Sequence, residues 1–106
     1  MTDELPSTAG RIARDHPDVW RAFQQLGAAC GEAGPLDAKT RHLIKIAVSM
    51  TARSEGATHS HVRRALTDGV TAEEIRHAAL LLAPTIGFPQ AVAALTWAED
   101  ELPDDG

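Results

Sequence analysis

The chain has 106 residues and a formal net charge of −5 at pH 7, a length that fits one domain with its own core. All ten Lys and Arg residues lie between Arg11 and Arg76, whereas seven of the fifteen acidic residues lie near the two ends. The body of the chain is therefore close to neutral, which argues against a nucleic-acid partner and against a basic membrane-binding face. The single cysteine, Cys30, excludes an intrachain disulfide.

The longest apolar run, Ala78–Ala83, is far shorter than the roughly 20 residues that a membrane-spanning helix needs. The sequence also lacks the pattern of a secretory signal peptide. We therefore expect a cytoplasmic protein without a membrane partner. We expect a single domain over residues 1–106, with residues 1–5 and 102–106 as frayed ends.

Pro, Gly and helix-capping residues divide the chain into about six predicted helices, and no segment alternates as a strand does. The first helix covers Ser7–Arg14. The second begins at Pro17, whose ring suits a first helical turn, and ends before Gly34. Its apolar stripe predicts a buried face that includes an unreactive Cys30 thiol. The other residues of this face are Val19, Phe23, Leu26 and Ala29, and Trp20 is also expected in the core.

The third helix is predicted from a cap at Asp37 to about Arg53. Its predicted apolar stripe consists of Leu36, Thr40, Leu43 or Ile44, Ala47 and Met50. Residues 54–56 break the chain before a fourth helix that reaches Leu66. Gly69 is expected to end that helix in a left-handed conformation.

A capping box predicts the start of the fifth helix. Thr71 and Glu74 have the spacing at which each side chain satisfies the backbone N–H of the other residue. This helix is expected to run to about Leu82. A turn over residues 84–89 leads to a last helix that reaches about Glu101.

The fifth helix is apolar on almost every side. After Ile75, only Arg76 and His77 interrupt the apolar residues up to Ala83. Such a helix must be buried on most sides, and a chain of this length can hardly surround one helix alone. We therefore predict self-association. The alternative is a compact monomer with this helix at its centre.

Three segments share their motifs with one known family: Leu36–Arg41, the stretch Ser54–Leu66 with its His-Val-Arg sequence at 61–63, and Gly69–Ile75. Together they resemble the carboxymuconolactone decarboxylase family, which includes the alkylhydroperoxidase D branch. The resemblance covers roughly residues 35–95. It implies an all-α, alkylhydroperoxidase D-like fold and a homo-oligomer, either a trimer or a hexamer, without a cofactor.

In the alkylhydroperoxidase D branch, a Cys-x-x-Cys pair and a histidine occupy the helix face that here holds Ser54, Ala57 and His61. A glutamate of the preceding helix stands where this chain has His42. Peroxide reduction by that branch needs an attacking thiolate and a resolving thiol. Ser54 and Ala57 supply neither, so thiol peroxidase activity is disfavoured.

The decarboxylase branch implies a different chemistry. Its lactone substrate carries carboxylates, and loss of carbon dioxide leaves an electron-rich carbon that needs a proton. By resemblance, His61 is the catalytic proton donor or acceptor. Arg41, Arg63 and Ser54 are the substrate-binding candidates, since a guanidinium holds a carboxylate through two hydrogen bonds. This chain departs from the branch at Gly56-Ala57, where polar His-Glu residues are usual.

Each candidate also has a structural interpretation. His61 could be a core histidine bonded to backbone, Arg63 could form a salt bridge, and Arg41 could pair with Asp37 one turn earlier. His59 and His61 are disfavoured as a chelating pair, because residues two apart on a helix point about 160° apart. A site assembled from His42, His61 and His77 on different helices stays open, but nothing in the sequence favours it, so we predict no metal site.

Two classes of function remain open. One is an enzyme that acts on a small carboxylated or lactone-like metabolite through His61 and an arginine, or a protein that binds such a molecule. The other is a non-catalytic oligomeric helical module with a binding or accessory role. DNA binding is disfavoured, because the second helix of a helix-turn-helix-like segment over residues 64–82 offers mainly Ala and Leu to base edges.

Overall fold

The computed structural model describes residues 7–103, and all regular structure in this range is helical. The helices are α1 (Ser7–Asp15), α2 (Pro17–Glu32), α3 (Ala38–Thr51), α4 (Glu55–Thr67), α5 (Ala72–Leu81), α6 (Ala83–Ile86) and α7 (Phe88–Glu99). The all-α class is thereby confirmed. The segment predicted as a turn, residues 84–89, contains most of the short helix α6 and the start of α7. No described helix combines the length and the hydrophobicity that crossing a membrane would require.

Contacts between residues divide the chain into two units, residues 1–38 and 39–106. In the first unit, α1 packs against α2. In the second unit, α7 packs against α4, α5 and α6. The single domain over residues 1–106 stays a prediction.

The core of the second unit is built from side chains of four helices and is rich in alanine. Small residues at helix contacts let the helix axes approach closely. The members of the core on these helices are Ile46, Met50, Val62, Ala65, Ile75, Ala79, Ala94 and Ala98.

Helices α3 and α4 both end in a left-handed residue followed by paired backbone hydrogen bonds. After α4, Gly69 has φ +95°, as predicted, and the backbone N–H of Val70 donates to the Ala65 carbonyl at 3.0 Å. After α3, Arg53 has φ +60°, and the N–H of Ser54 donates to the Ser49 carbonyl at 3.0 Å. Both ends are Schellman motifs, but Arg53 fills a position that usually holds glycine.

The capping box at the start of α5 is confirmed. The Glu74 N–H donates to Thr71 Oγ1 at 3.0 Å, and the Thr71 N–H donates to Glu74 Oε1 at 2.9 Å. Lys39 Nζ donates to the other oxygen of Glu74 at 2.8 Å. The hydrogen bond from Lys39, followed by that from the Thr71 backbone, lowers the pKa of Glu74 below its ordinary value.

Removing the cap is expected to destabilise the protein. Thr71→Ala leaves the Glu74 N–H without its side-chain acceptor, so the free energy of unfolding should fall by about 1 kcal/mol. Urea denaturation measures this change. Thr96→Ala is the matched control, because Thr96 is exposed in α7 and its hydroxyl only bonds back to the Val92 carbonyl. Equal effects of the two substitutions would contradict the capping role.

The prediction that the second helix has a buried face is wrong. The structure buries no residue of α2; Phe23 is 57% exposed, Leu26 is 61% exposed and Cys30 is also exposed. Trp20 is half-buried and its ring centroid lies 5.5 Å from that of Phe23. Within the first unit, α2 packs against α1. A nine-residue helix is too short to cover the apolar stripe along the full length of a sixteen-residue helix.

Two further expectations about burial are wrong in part. In α3 the predicted stripe is correct at Met50, which is buried, and at Leu43, which packs against the core. Leu36 and Ile44 are exposed, and the stripe did not include the buried Ile46 and Ser49. Leu102, predicted within a frayed end, is buried in the core cluster. Residues 1–5 and 104–106 of the predicted frayed ends lie outside the described residues.

Candidate functional site

His61 lies in the middle of α4 with its side chain half-buried. Groups from two helices act electrostatically on its ring: Arg64 of α4, and Lys45 and His42 of α3. Arg64 follows His61 by three residues, the spacing that places two side chains on the same helix face. Arg64 of α4 and Lys45 of α3 thus bring positive charge to the predicted catalytic histidine.

The pKa of His61 lies below its ordinary value of 6.5. Burial is the largest cause, because it disfavours the charged imidazolium, and Arg64, Lys45 and His42 lower the pKa further. At neutral pH the His61 ring is therefore uncharged. A neutral imidazole can accept a proton, and the positive groups around it favour an anion beside it.

A further positive residue of α3, Arg41, lies on the same helix face as Lys45. We call Arg41, Lys45 and Arg64 the positive face of α3 and α4. Arg41 and Lys45 are four residues apart and share one face of α3, and Arg41 is half-buried. His42 is held in place by Asp68, whose Oδ2 lies 2.7 Å from His42 Nε2. Of the predicted substrate-binding residues, Arg41 is the one that shares its helix face with a cation near His61.

An open apolar cavity of about 360 Å³ lies along α3 and is lined by Ala47, Val48, Thr51 and Ala52. Val48 and Ala52 follow Lys45 by three and seven residues, so they continue the helix face that carries Arg41 and Lys45. The volume lies in the range of small-molecule sites. An apolar hollow beside positive side chains suits a small organic anion.

The other two predicted substrate-binding residues have structural partners. Arg63 Nη1 donates to Glu101 Oε2 at 3.0 Å, and both side chains are partly buried. Ser54 caps α4, and its hydroxyl accepts a hydrogen bond from the Ala57 N–H at 3.4 Å. Ser54 also stands two turns before His61, about 10 Å along the helix axis. Arg64, and not Arg63, is the α4 arginine on the same helix face as His61.

Replacing Arg64 should shift the titration of His61. Arg64→Gln removes a positive charge that opposes protonation, so the pKa of His61 should rise toward its ordinary value. An NMR titration of the His61 ring protons measures this shift. Arg63→Gln is the matched control, since Arg63 is the adjacent arginine but is not among the groups that act on His61. A rise of the same size in both variants would contradict the proposed face.

A second cluster of ionisable groups lies elsewhere on α4. His59 Nε2 is 3.1 Å from Asp100 Oδ2 and 3.9 Å from Glu55 Oε2. The sequence contains part of the signal, because Glu55 and His59 are four residues apart on one helix. Asp100 could not be assigned to the cluster without the fold, which brings the end of α7 to α4.

A family model and a known relative match this chain. The model of the carboxymuconolactone decarboxylase family matches residues 17–100. An uncharacterized protein of Haemophilus influenzae is 39% identical over 64 residues, which is 60% of this chain and 57% of the relative. The match thus spans little more than half the length of that relative.

Proposed function

The chain belongs to the carboxymuconolactone decarboxylase family, and within it we propose that this protein decarboxylates a small lactone-like metabolite that carries a carboxylate. One observation supports the proposal above the others. A half-buried histidine, His61, lies among positive groups of two helices. This arrangement would attract an anionic substrate and hold a group that can transfer a proton beside it.

Substrate binding is assigned to the positive face of α3 and α4. Lys45 and Arg64 lie near His61, and Arg41 shares the α3 face of Lys45. We assign the carboxylate to these three side chains, with a guanidinium as the bidentate partner. The apolar part of the substrate would occupy the cavity that begins at Ala47 and Val48.

The reaction breaks the bond between the substrate carbon and its carboxylate. Carbon dioxide leaves, and the electron pair stays on the carbon as an enolate that the nearby positive charges stabilise. An anion bound beside His61 offsets those positive charges and raises the pKa of the ring, so His61 takes up a proton on binding. His61 then gives this proton to the carbon and returns to its neutral form.

We further propose that the protein works as a homo-oligomer, a trimer or a hexamer. Several large apolar side chains of α5 and α7 are exposed in the single chain, among them Leu80 at 63% and Phe88 at 69%. Because α5 packs against α7, these side chains lie on neighbouring helices, and a contiguous exposed apolar patch marks a site of protein association. Analytical ultracentrifugation tests the proposal, and a protein that sediments as a monomer at micromolar concentration would contradict it.

The proposed reaction is tested with the purified protein and a panel of lactones that carry one or two carboxylates. We expect carbon dioxide release from at least one of them. The methyl esters of the same lactones are the matched controls, because they keep the shape and remove the charge. Absence of carbon dioxide release from every acid, together with unchanged His61 resonances on addition of the lactones, would overturn the proposal.

A further inference from the structure

We propose that Glu55, His59 and Asp100 form a binding site for a divalent transition-metal ion such as Zn²⁺. One potential ligand atom from each residue lies within 4.8 Å of the other two. The set offers one imidazole nitrogen and two carboxylate oxygens, which are donors that zinc accepts. The site is separate from the proposed decarboxylation site, because His59 and His61 point to nearly opposite sides of α4.

The distances fit a shared ion. Zinc bonds of about 2.0–2.1 Å at tetrahedral angles place neighbouring ligand atoms about 3.4 Å apart. His59 Nε2 lies 3.1 Å from Asp100 Oδ2 and 3.9 Å from Glu55 Oε2, on either side of that value. An ion could therefore be coordinated after small side-chain movements. The remaining coordination position would be open to water.

The fold holds the three ligands together. Glu55 and His59 share a face of α4 at i,i+4 spacing, the spacing that the two histidines of known zinc helices use. Asp100 directly follows α7, and α7 packs against α4. The negative end of the α7 dipole lies at Asp100 and favours a cation, whereas the positive end of the α4 dipole at Glu55 partly opposes it. The site therefore joins two helices that the core already holds in contact.

The charges near the site also favour a cation. Asp100 is one of three consecutive acidic residues, and the other two have arginine partners. Glu99 accepts two hydrogen bonds from Arg76, at 2.7 and 3.1 Å, and Glu101 accepts one from Arg63 at 3.0 Å. Asp100 instead lies against the His59 ring, with its Oδ2 3.1 Å from His59 Nε2. A divalent ion would neutralise the two carboxylates of Glu55 and Asp100.

The site is open to solvent. Glu55 and Asp100 are exposed, and the His59 side chain is 22% exposed. An ion can therefore enter without unfolding of either helix. The same two contacts also fit a simple ion pair between His59 and the two carboxylates, so the experiment must distinguish a metal site from that pair.

Isothermal titration of the chelator-treated protein, without a histidine tag, with zinc chloride provides the test. We expect one zinc ion per chain and, at tenfold excess over the dissociation constant, a rise in melting temperature of about 5 °C. His59→Gln and Asp100→Asn should each weaken binding by about tenfold or more. His77→Gln is the matched control, because His77 is exposed on α5 and outside the cluster, and it should bind zinc as the unmodified chain does.

Helical circular dichroism before zinc addition shows whether each variant is folded, and Asp100→Asn provides the answer if His59→Gln does not fold. Absence of zinc binding to the unmodified chain would overturn the proposal, and an ion pair alone would then explain the cluster. Unchanged zinc affinity in both folded variants would do the same, because the ion would then bind elsewhere.

Discussion

Ile75→Ala is expected to lower the free energy of unfolding by about 2–5 kcal/mol. Ile75 lies in α5 with none of its surface exposed, and it is one of the largest side chains buried to this extent. The loss has two parts: the favourable free energy of burying the deleted carbon atoms, and the cost of the cavity that they leave. The core cluster that contains Ile75 includes four alanines, Ala65, Ala79, Ala94 and Ala98, and their side chains are too short to fill a cavity of this size.

Urea denaturation at one fixed protein concentration measures this loss, since self-association would otherwise change the apparent stability. Ile44→Ala is the matched control: Ile44 is an isoleucine in a helix but is 46% exposed. Substitutions at such surface positions usually change stability by about 0.5 kcal/mol or less. A loss below about 1 kcal/mol for Ile75→Ala would contradict the position of the core.

Helix ends were predictable from the sequence wherever the signal is local. Thr71 and Glu74 form their capping box within four residues, and Gly69 adopts its left-handed conformation without steric cost. Arg53 was missed because it takes the same conformation without being glycine. The left-handed conformation of Arg53 accompanies backbone hydrogen bonds from Arg53 and Ser54 to carbonyls of α3. The residue type alone does not predict these bonds.

Burial was less predictable, because it depends on which helices meet. The spacing of Phe23 and Leu26 predicts an apolar face, but a face is buried only when another element covers it. The opposite error occurs at Leu102, which follows the last helix in an acidic segment and still reaches the core. Neither outcome can be read from periodicity within one helix.

The sequence motif proposes His61 as the central residue of the candidate site, and its i+3 spacing to Arg64 is also present in the sequence. The groups on other helices cannot be read from that motif. Lys45 lies on a different helix, so its proximity to His61 depends on how α3 and α4 are arranged. Asp100 in the proposed metal site was inaccessible for the same reason.

His61→Gln is expected to lower kcat/KM for a carboxylated lactone by about 10²–10⁴-fold, the usual contribution of a general acid or base. Glutamine keeps a polar side chain of similar length but cannot carry a proton at neutral pH. The proposed carboxylate ligands, Lys45, Arg64 and Arg41, are unchanged in this variant, so KM should change much less than kcat. Steady-state measurement of carbon dioxide release separates the two parameters.

The pH dependence of kcat/KM is a second test of proton transfer by His61. The pKa of His61 lies below 6.5 in the free protein, so kcat/KM of the unmodified chain should fall as the pH rises above that pKa and the ring loses its proton. His61→Gln should remove this dependence, whereas His77→Gln, on the exposed surface of α5, should keep both the rate and the profile. Equal rates and profiles for His61→Gln and the unmodified chain would rule out proton transfer by His61. Carbon dioxide release would then depend on the positive charges of α3 and α4 alone.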